Sequence, residues 1–532
     1  MKRRQFIKTS VPAVTVPLLL NGLRIRAFAE SPQLEALTGA RGNNDNVLVL
    51  IELNGGNDGL NTVLPLDQYS TMASLRSNVL IPENKVLPVN GYPGTGLHPS
   101  MSGIQQMFNE GKVRIVQSVG YPNPDFSHFR SMDIWTSASN SNEYLRTGWM
   151  GRYLNYEYPN YPYDYPNNVM PDPLAIQIGG INSPVFMGPY MNMSYALLLD
   201  ENNQVQNYSF LNTIKDNYTV QKPFAKEVAY IRQVKKNTIE LGNAVKNAYD
   251  KPVTQISYPD TDLANQLKIV ARLIAGGLKT KIYWVSLFGF DTHASQVEDT
   301  DTTKGMHADL LQIFSDAVSA FHKDLQQLGL ADRVISMTYS EFGRRIISNF
   351  SMGTDHGAAA PLFIFGNKVI PGILGNNPTL PANATVNDNL PMQYDFRSVY
   401  ASILQDWLCV PKSDIDTVIL LKNFQTLPLV QNSSCTAVSI RELNQSAGLN
   451  LISAYPNPFT TRTTIRYTTA GNHTLVEIYN PMGQQIKTLV EKDMAAGTYE
   501  VDFENEGFAE GTYYVRFQNG AVQQVKPLVI AK

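Results

Sequence analysis

Cysteine is nearly missing from this chain. With only Cys409 and Cys435 in 532 residues, a disulfide-dense scaffold and a zinc site built on thiolates are both excluded. At most one disulfide can form, and only in an oxidising compartment. An excess of charge of either sign is missing too. Lys and Arg number 43 against 46 Asp and Glu, a formal net charge of −3, so no global basic surface argues for nucleic acid as a partner. Charged residues make up 17% of the chain and hydrophobic residues 43%, a globular composition that excludes both a disordered chain and a protein integral to a membrane. The length exceeds one ordinary domain and is enough for a large core.

Residues 1–29 read MKRRQFIKTSVPAVTVPLLLNGLRIRAFA. They have a basic start, an apolar middle over Val11–Leu20, and Ala27-Phe28-Ala29 as a small-x-small cleavage site. The apolar run is too short to span a bilayer, so a cleaved export signal is expected, with a mature protein beginning near Glu30. Arg3-Arg4-Gln5-Phe6-Ile7-Lys8 resembles the twin-arginine export motif, a route that moves folded proteins, often with their cofactor loaded. A general secretory signal with a chance Arg pair is the plainer reading. Either route places the working protein outside the cytoplasm.

The chemistry gathers between Lys281 and Phe365. Ile282–Phe288 and Val334–Tyr339 are apolar runs of strand length, rich in β-branched and aromatic residues, with a long helical run between them. Asp291 and His293 follow the first strand, Glu341 follows the second, and Asp355 and His356 sit in a Gly-flanked loop. Open α/β sheets bind ligands at the carboxyl ends of their strands, so these clusters predict one site at one sheet edge. Oxygen and nitrogen donors without thiolate suit a divalent metal: Zn, Mn, Mg or Ca. Glu341 could equally be a ligand, a general base, or a partner that orients a histidine.

Val47–Leu53 is a continuous apolar run, as expected of a strand buried on both faces. It opens into Asn54-Gly55-Gly56-Asn57-Asp58-Gly59, whose glycine spacing fits neither a phosphate loop nor a dinucleotide fingerprint. Asn54, Asn57 or Asp58 could give oxygen to a metal or substrate there; a tight Asx-stabilised turn is the plain alternative. A second strand, Val113–Val119, leads to Ser127-His128 at the start of a predicted helix over Phe129–Ser137. Ser127 is either a plain N-cap or a hydroxyl at the positive end of the helix dipole, where free N–H groups could hold a phosphate or sulfate on it. His128 is a candidate ligand or general acid/base. Arg152 is a candidate substrate-anion contact, with an ordinary salt bridge as its alternative. His98 and His307 are weaker candidates, and His322 lies beside an apolar helical stripe. Residues 155–168, rich in Tyr, Pro and Asn, predict an irregular surface loop, with an aromatic wall at a substrate entrance as the functional version.

DTH after a strand, and TDHG before an apolar strand, resemble the alkaline phosphatase/sulfatase superfamily. The wider set LNGGNDGLNTVLP, LHPSM, VGYPNPDFSHFRSMDIW, TGWMGRY, GFDTH, SEFGRR, GTDHG and DFRSVYASILQDWL is similar to one branch of it, the DUF1501 family, over Asn46 to Leu408. The resemblance implies an alkaline-phosphatase-like α/β fold, with a mostly parallel sheet flanked by helices. It also implies metal-dependent hydrolysis of a phosphate or sulfate ester. In that scheme Asp291, His293, Asp355 and His356 hold the metal, Asn54, Asn57 or Asp58 completes the set, and Ser127 is the nucleophile. The chain departs from the pattern in two respects. The later ligand histidine of the phosphatases has no counterpart, since the only histidine beyond His356 is His473, and the sulfatase Cys-x-Pro-x-Arg motif is absent.

The tail is a different object. After a linker over 431–447, short alternating strands separated by Gly and Pro turns predict a small β-sandwich over 448–532. YPNPF, the IYN-x-x-G core and GTYY resemble the C-terminal sorting domain of type IX secretion substrates. That implies passage through the periplasm, the secretion machinery as partner, and release or attachment at the cell surface. The domains expected are therefore a signal at 1–29, an α/β body at 30–430, the linker, and the sorting sandwich. A small-molecule or polymer ester is the expected substrate of the body. Two rival functions stand beside ester hydrolysis: a surface protein binding a glycan or another polymer, and a sugar hydrolase using Glu341 and Asp291 as its carboxylate pair.

Overall fold

A computed structural model describes residues 45–431, Cys435 and 450–531, apart from 160, 163–164, 180–181, 200–224, 252–255, 458, 472, 481–483 and 520–521. Of the export segment it describes only Val16–Leu20 and Leu23–Ala27, an antiparallel pair. The rest of that segment, with the Arg3-Arg4 pair, and most of the 431–447 linker lie outside the described residues. The chain divides into two compact units, Asn44–Cys435 and one that includes Thr436–Lys532.

The larger unit runs, in chain order, through β1 (Val47–Asn54), α1 (Ser102–Asn109), β2 (Val113–Gly120), α2 (His128–Ser137), α3 (Trp149–Glu157), β3 (Ala175–Ile178) and β4 (Tyr195–Leu197). It continues through α4 (Ala225–Tyr249), α5 (Asp262–Ala275), β5 (Ile282–Phe288), α6 (Met306–Gln327), β6 (Val334–Tyr339), β7 (Arg344–Ser348) and β8 (Thr354–His356). It closes with β9 (Ala360–Phe365), β10 (Gly372–Leu374), β11 (Tyr394–Asp395) and α7 (Phe396–Ser402). Nine described strands form one sheet in the order β10-β2-β9-β6-β1-β5-β3-β4, with β11 also beside β2. Every neighbouring pair is parallel except those made by β9, which runs antiparallel to β6 and β2.

The continuous apolar strands are explained by their two covered faces. Val47, Val49, Ile51 and Leu53 of β1 join Tyr283, Val285 and Leu287 of β5 in one core, which α1, α5 and α6 cover. The alternate residues Leu48, Leu50, Ile282 and Trp284 face a second core with α2, α3 and α7. Helix α5 buries Leu263, Leu267, Val270 and Ile274, the helical spacing seen in its sequence, and stops at Gly276-Gly277. Helix α6 buries Phe314, Ala317, Phe321 and Leu325, and with them His322, whose Nε2 lies 3.1 Å from the Ser336 hydroxyl. Cys409 and Cys435 form a disulfide.

The described residues of 158–168 are irregular, as expected, while 155–157 are helical. Helix α3 continues through Glu157, and Tyr158, Tyr161 and Tyr165 pack against the second core rather than lining an entrance.

In the tail unit, Asn450–Tyr455, Arg462–Ala470 and Ala496–Glu504 form one antiparallel sheet. A second contains His473–Tyr479, Gln485–Asp493, Gly511–Asn519 and Val522–Ile530. Ile465, Tyr467 and Phe503 of the first share a core with Val476, Ile478, Val515, Phe517 and Leu528 of the second, which makes a β-sandwich. Among the described residues no helix is long and apolar enough to cross a membrane.

Candidate metal centre

Because β1, β5 and β6 are parallel, Asn54, Phe288 and Tyr339 end at the same sheet edge, and the antiparallel β9 begins there with Ala360. The turn after β1, the loop after β5, the β7–β8 hairpin and the start of α2 therefore meet. Two glycines allow the backbones to close. A Cβ on Gly55 (φ +122°) would lie 2.3 Å from the Asp291 amide nitrogen, and one on Gly353 would lie 2.3 Å from the His293 carbonyl.

Three imidazoles are oriented in the same sense. His128 Nδ1 lies 2.8 Å from Glu341 Oε1, His293 Nδ1 lies 2.9 Å from Asp355 Oδ1, and His356 Nδ1 lies 2.7 Å from the Phe126 carbonyl oxygen. Carbonyls and ionised carboxylates only accept hydrogen bonds, so each neutral ring carries its proton on Nδ1 and turns the Nε2 lone pair the other way. All three Nε2 atoms meet Asp291. His356 and His293 lie 3.1 Å and 3.2 Å from Oδ1, and His128 lies 3.4 Å from Oδ2. The Nε2 atoms of His293 and His356 are only 2.8 Å apart. Two lone pairs facing at that distance beside a carboxylate repel unless a proton or a metal ion lies between them. Donor atoms of His128, Asp291 and His356 all fall within 4.8 Å of one another, close enough for one ion. Imidazoles that donate Nδ1–H to an oxygen and offer Nε2 are the usual arrangement of metal-binding histidines. The residues present therefore fit a divalent metal.

Arg344 lies beneath, fully buried, with Nη2 2.8 Å from Asp291 Oδ1. Burial by itself would raise the Asp291 carboxyl, but Arg344 and His356 outweigh it and hold the group at about 2. The hydrogen bond to Glu341 raises His128, with further help from the charges of Glu341 and Asp291. Burial lowers His356. Asp291 and His293 keep 48% and 44% of their side-chain surface, so the cluster opens to solvent.

The other expected residues stand as follows. Asp355 stands behind His293, where its Oδ1 accepts from the His293 ring and from the Asn349 amide. Asp58 is buried in an ion pair with Arg76, outside the donor cluster. Asn57 is buried too, and its Oδ1 accepts from Thr62 and His307. The Asn54 amide donates to Glu52. Arg152 is no anion contact: its guanidinium is buried and donates to the carbonyls of Ser137, Thr147 and Ile419, and burial lowers it to about 10. Glu341 is buried, accepts from the Gly55 amide at 3.0 Å, and reaches the centre only through His128. The His128 ring fills the space between Glu341 and Asp291, so these two carboxylates cannot flank a glycosidic bond as a hydrolase pair must. Ser127 is exposed at the N-cap of α2, and its side chain makes no capping bond. Arg344 escaped the sequence reading, because nothing in SEFGRR separates it from its neighbour Arg345.

Residues 45–406 match the family described as "Protein of unknown function (DUF1501)". Residues 453–531 match the secretion system C-terminal sorting domain. No curated protein matches the chain. Among solved structures, it is similar to a protein in the alkaline phosphatase superfamily from Vibrio parahaemolyticus, at 10% identity over 91% of this chain and 82% of that one, with a TM-score of 0.32. It is also similar to the PsFucS1 sulfatase from Pseudoalteromonas sp., at 11% identity over 90% and 88%, with a TM-score of 0.33.

Proposed function

The chain belongs to the DUF1501 family, and from that premise we propose that it is an exported, metal-dependent hydrolase of a phosphate or sulfate ester. The sorting tail supports the export half of this reading. The hydrolase half is carried by the three Nε2 lone pairs gathered around Asp291. His128, Asp291, His293 and His356 form the donor set. Three imidazoles to one carboxylate favour Zn or Mn over Mg or Ca, which prefer shells of oxygen. When bound, such an ion neutralises the ester's charge and lowers the pKa of a coordinated hydroxyl or water.

The chain's own groups supply the rest. Ser127 is the nucleophile in this reading. Its amide is taken by Asp125 Oδ1 at 2.7 Å, its hydroxyl is uncommitted, and it stands at the positive end of a ten-residue helix that favours an anionic ester. Glu341 and Asp355 keep His128 and His293 in the Nδ1–H form. Arg344 holds the Asp291 carboxylate ionised.

Elemental analysis of the purified mature protein, beside Asp291→Ala and His356→Ala, tests the reading. Near-stoichiometric Zn or Mn in the wild type is expected to be lost in both variants, with turnover in a phospho- and sulfo-ester screen lost alongside it. Metal retained in both variants would move the centre elsewhere. No metal after adding Zn, Mn, Mg and Ca would end the proposal.

A further inference from the structure

The two loops that carry the histidines are held by one carboxamide. Gln296 is fully buried just past the first loop. Its Oε1 accepts from the Thr292 hydroxyl at 3.1 Å and from the Thr354 hydroxyl at 2.7 Å, while its Nε2 donates to Asp58 Oδ2 at 2.7 Å. Thr292 stands between Asp291 and His293, and Thr354 stands two residues before His356. The main chain repeats the link. Gln296 N donates to the Met352 carbonyl at 2.9 Å, and Thr354 N donates to the Thr292 carbonyl at 3.1 Å.

We propose that Gln296 is a positioning residue that sets the separation of the two histidine-bearing loops, and that Asp58 acts on the metal centre only through it. The proposal rests on the metal-centre reading above. Its direction follows from donor and acceptor chemistry. The Asp58 carboxylate only accepts, so it turns Nε2 towards itself and Oε1 towards the threonines. A carboxamide oxygen has two lone pairs, and one hydroxyl from each loop fills each of them. Both hydroxyls must stay within reach of that single atom, which fixes one loop against the other. Asp58 is anchored in turn by Arg76, so the gauge is tied to the turn after β1. A small shift of either loop would part the two Nε2 atoms that now lie 2.8 Å apart. This gives the buried Asp58 of the Gly-Gly-Asn-Asp-Gly turn a role that needs no contact with the metal.

The test measures dissociation constants for Zn and for Mn alone, by competition with a chromogenic chelator, together with the melting midpoint of the metal-free protein. Gln296→Leu and Thr354→Val should weaken binding by about tenfold to a hundredfold, the range seen when a partner holding a metal ligand is removed. Thr354→Ser keeps the hydroxyl and should restore wild-type affinity. Val318→Ala, a buried substitution on α6, should lower the midpoint and leave the affinity unchanged. If Gln296→Leu does not fold, Thr354→Val decides. Wild-type affinity in Thr354→Val, or an equal loss in Val318→Ala, would overturn the positioning role while leaving the metal centre intact. A wild type that binds neither metal would overturn the metal centre, and this proposal with it.

Discussion

Replacing Arg344 by Lys keeps a positive charge beside Asp291 and removes the planar fork. The guanidinium donates to five acceptors: the carbonyls of Gly55, Gly56, Phe290 and Thr354, and Asp291 Oδ1. A lysine ammonium has three donors in a different geometry, so at least two of these five contacts are lost. Each such loss costs about 1–3 kcal/mol, so Arg344→Lys should destabilise the larger unit by about 2–6 kcal/mol. That unit has roughly 390 residues. At about 2.1 cal/mol/K of unfolding entropy per residue, 1 kcal/mol moves its melting midpoint by about 1.2 °C. The expected drop is therefore about 2–7 °C, read by calorimetry on metal-free protein. Because the retained charge still faces Asp291, metal affinity should fall less than in Arg344→Met. A midpoint within about 1 °C of the wild type would refute the reasoning, since it would mean that the fork does not tie these segments together.

Three further outcomes follow from the same geometry. Burial holds the imidazoles of His98, His307 and His322 neutral, with pKa values of about 3, 4 and 3, against about 6.5 in the unfolded chain. The unfolded state therefore takes up these protons first. Stability is full above about pH 6.5 and falls below it, by up to about 1.4 kcal/mol per pH unit for each histidine, until pH approaches the folded values; an unchanged midpoint between pH 7 and pH 5 would contradict this. Reducing the Cys409–Cys435 disulfide, which closes a loop of sequence separation 26, should cost about 3.5 kcal/mol by chain entropy, seen as a lower midpoint with dithiothreitol. Arg152→Met leaves the carbonyls of Ser137, Thr147 and Ile419 unpaired, so it should lower the midpoint and leave metal content unchanged; lost metal in folded protein would return Arg152 to the site.

Much of this protein is determined locally. Val47–Leu53, Ile282–Phe288 and Val334–Tyr339 read as strands because residues buried on both faces leave no polar alternation to confuse the pattern, and the structure has all three as strands. The tail's short strands and the stripe on α6 are legible for the same reason, a period matched to one element. The placement of Asp291, His293 and His356 at one edge also follows from sequence, because parallel strands put all their carboxyl ends together.

What each polar group does there is another matter. His128 and Asp355 look alike as candidates, yet one offers Nε2 to the cluster and the other holds a neighbour's Nδ1–H. Asp58 and Arg152 look like site residues and are buried structural ones, while Arg344 and Gln296 look unremarkable in sequence and grip the loops. The deciding contacts join residues far apart in the chain: Gly55 with Glu341, Asp58 with Gln296, Arg344 with Gly56. Hydrogen-bond direction and burial depend on those distant partners. The sequence by itself therefore determined the strands, the sorting tail and the edge where the polar clusters lie, and only the tertiary structure decided which of those side chains meet there and which are buried partners behind them.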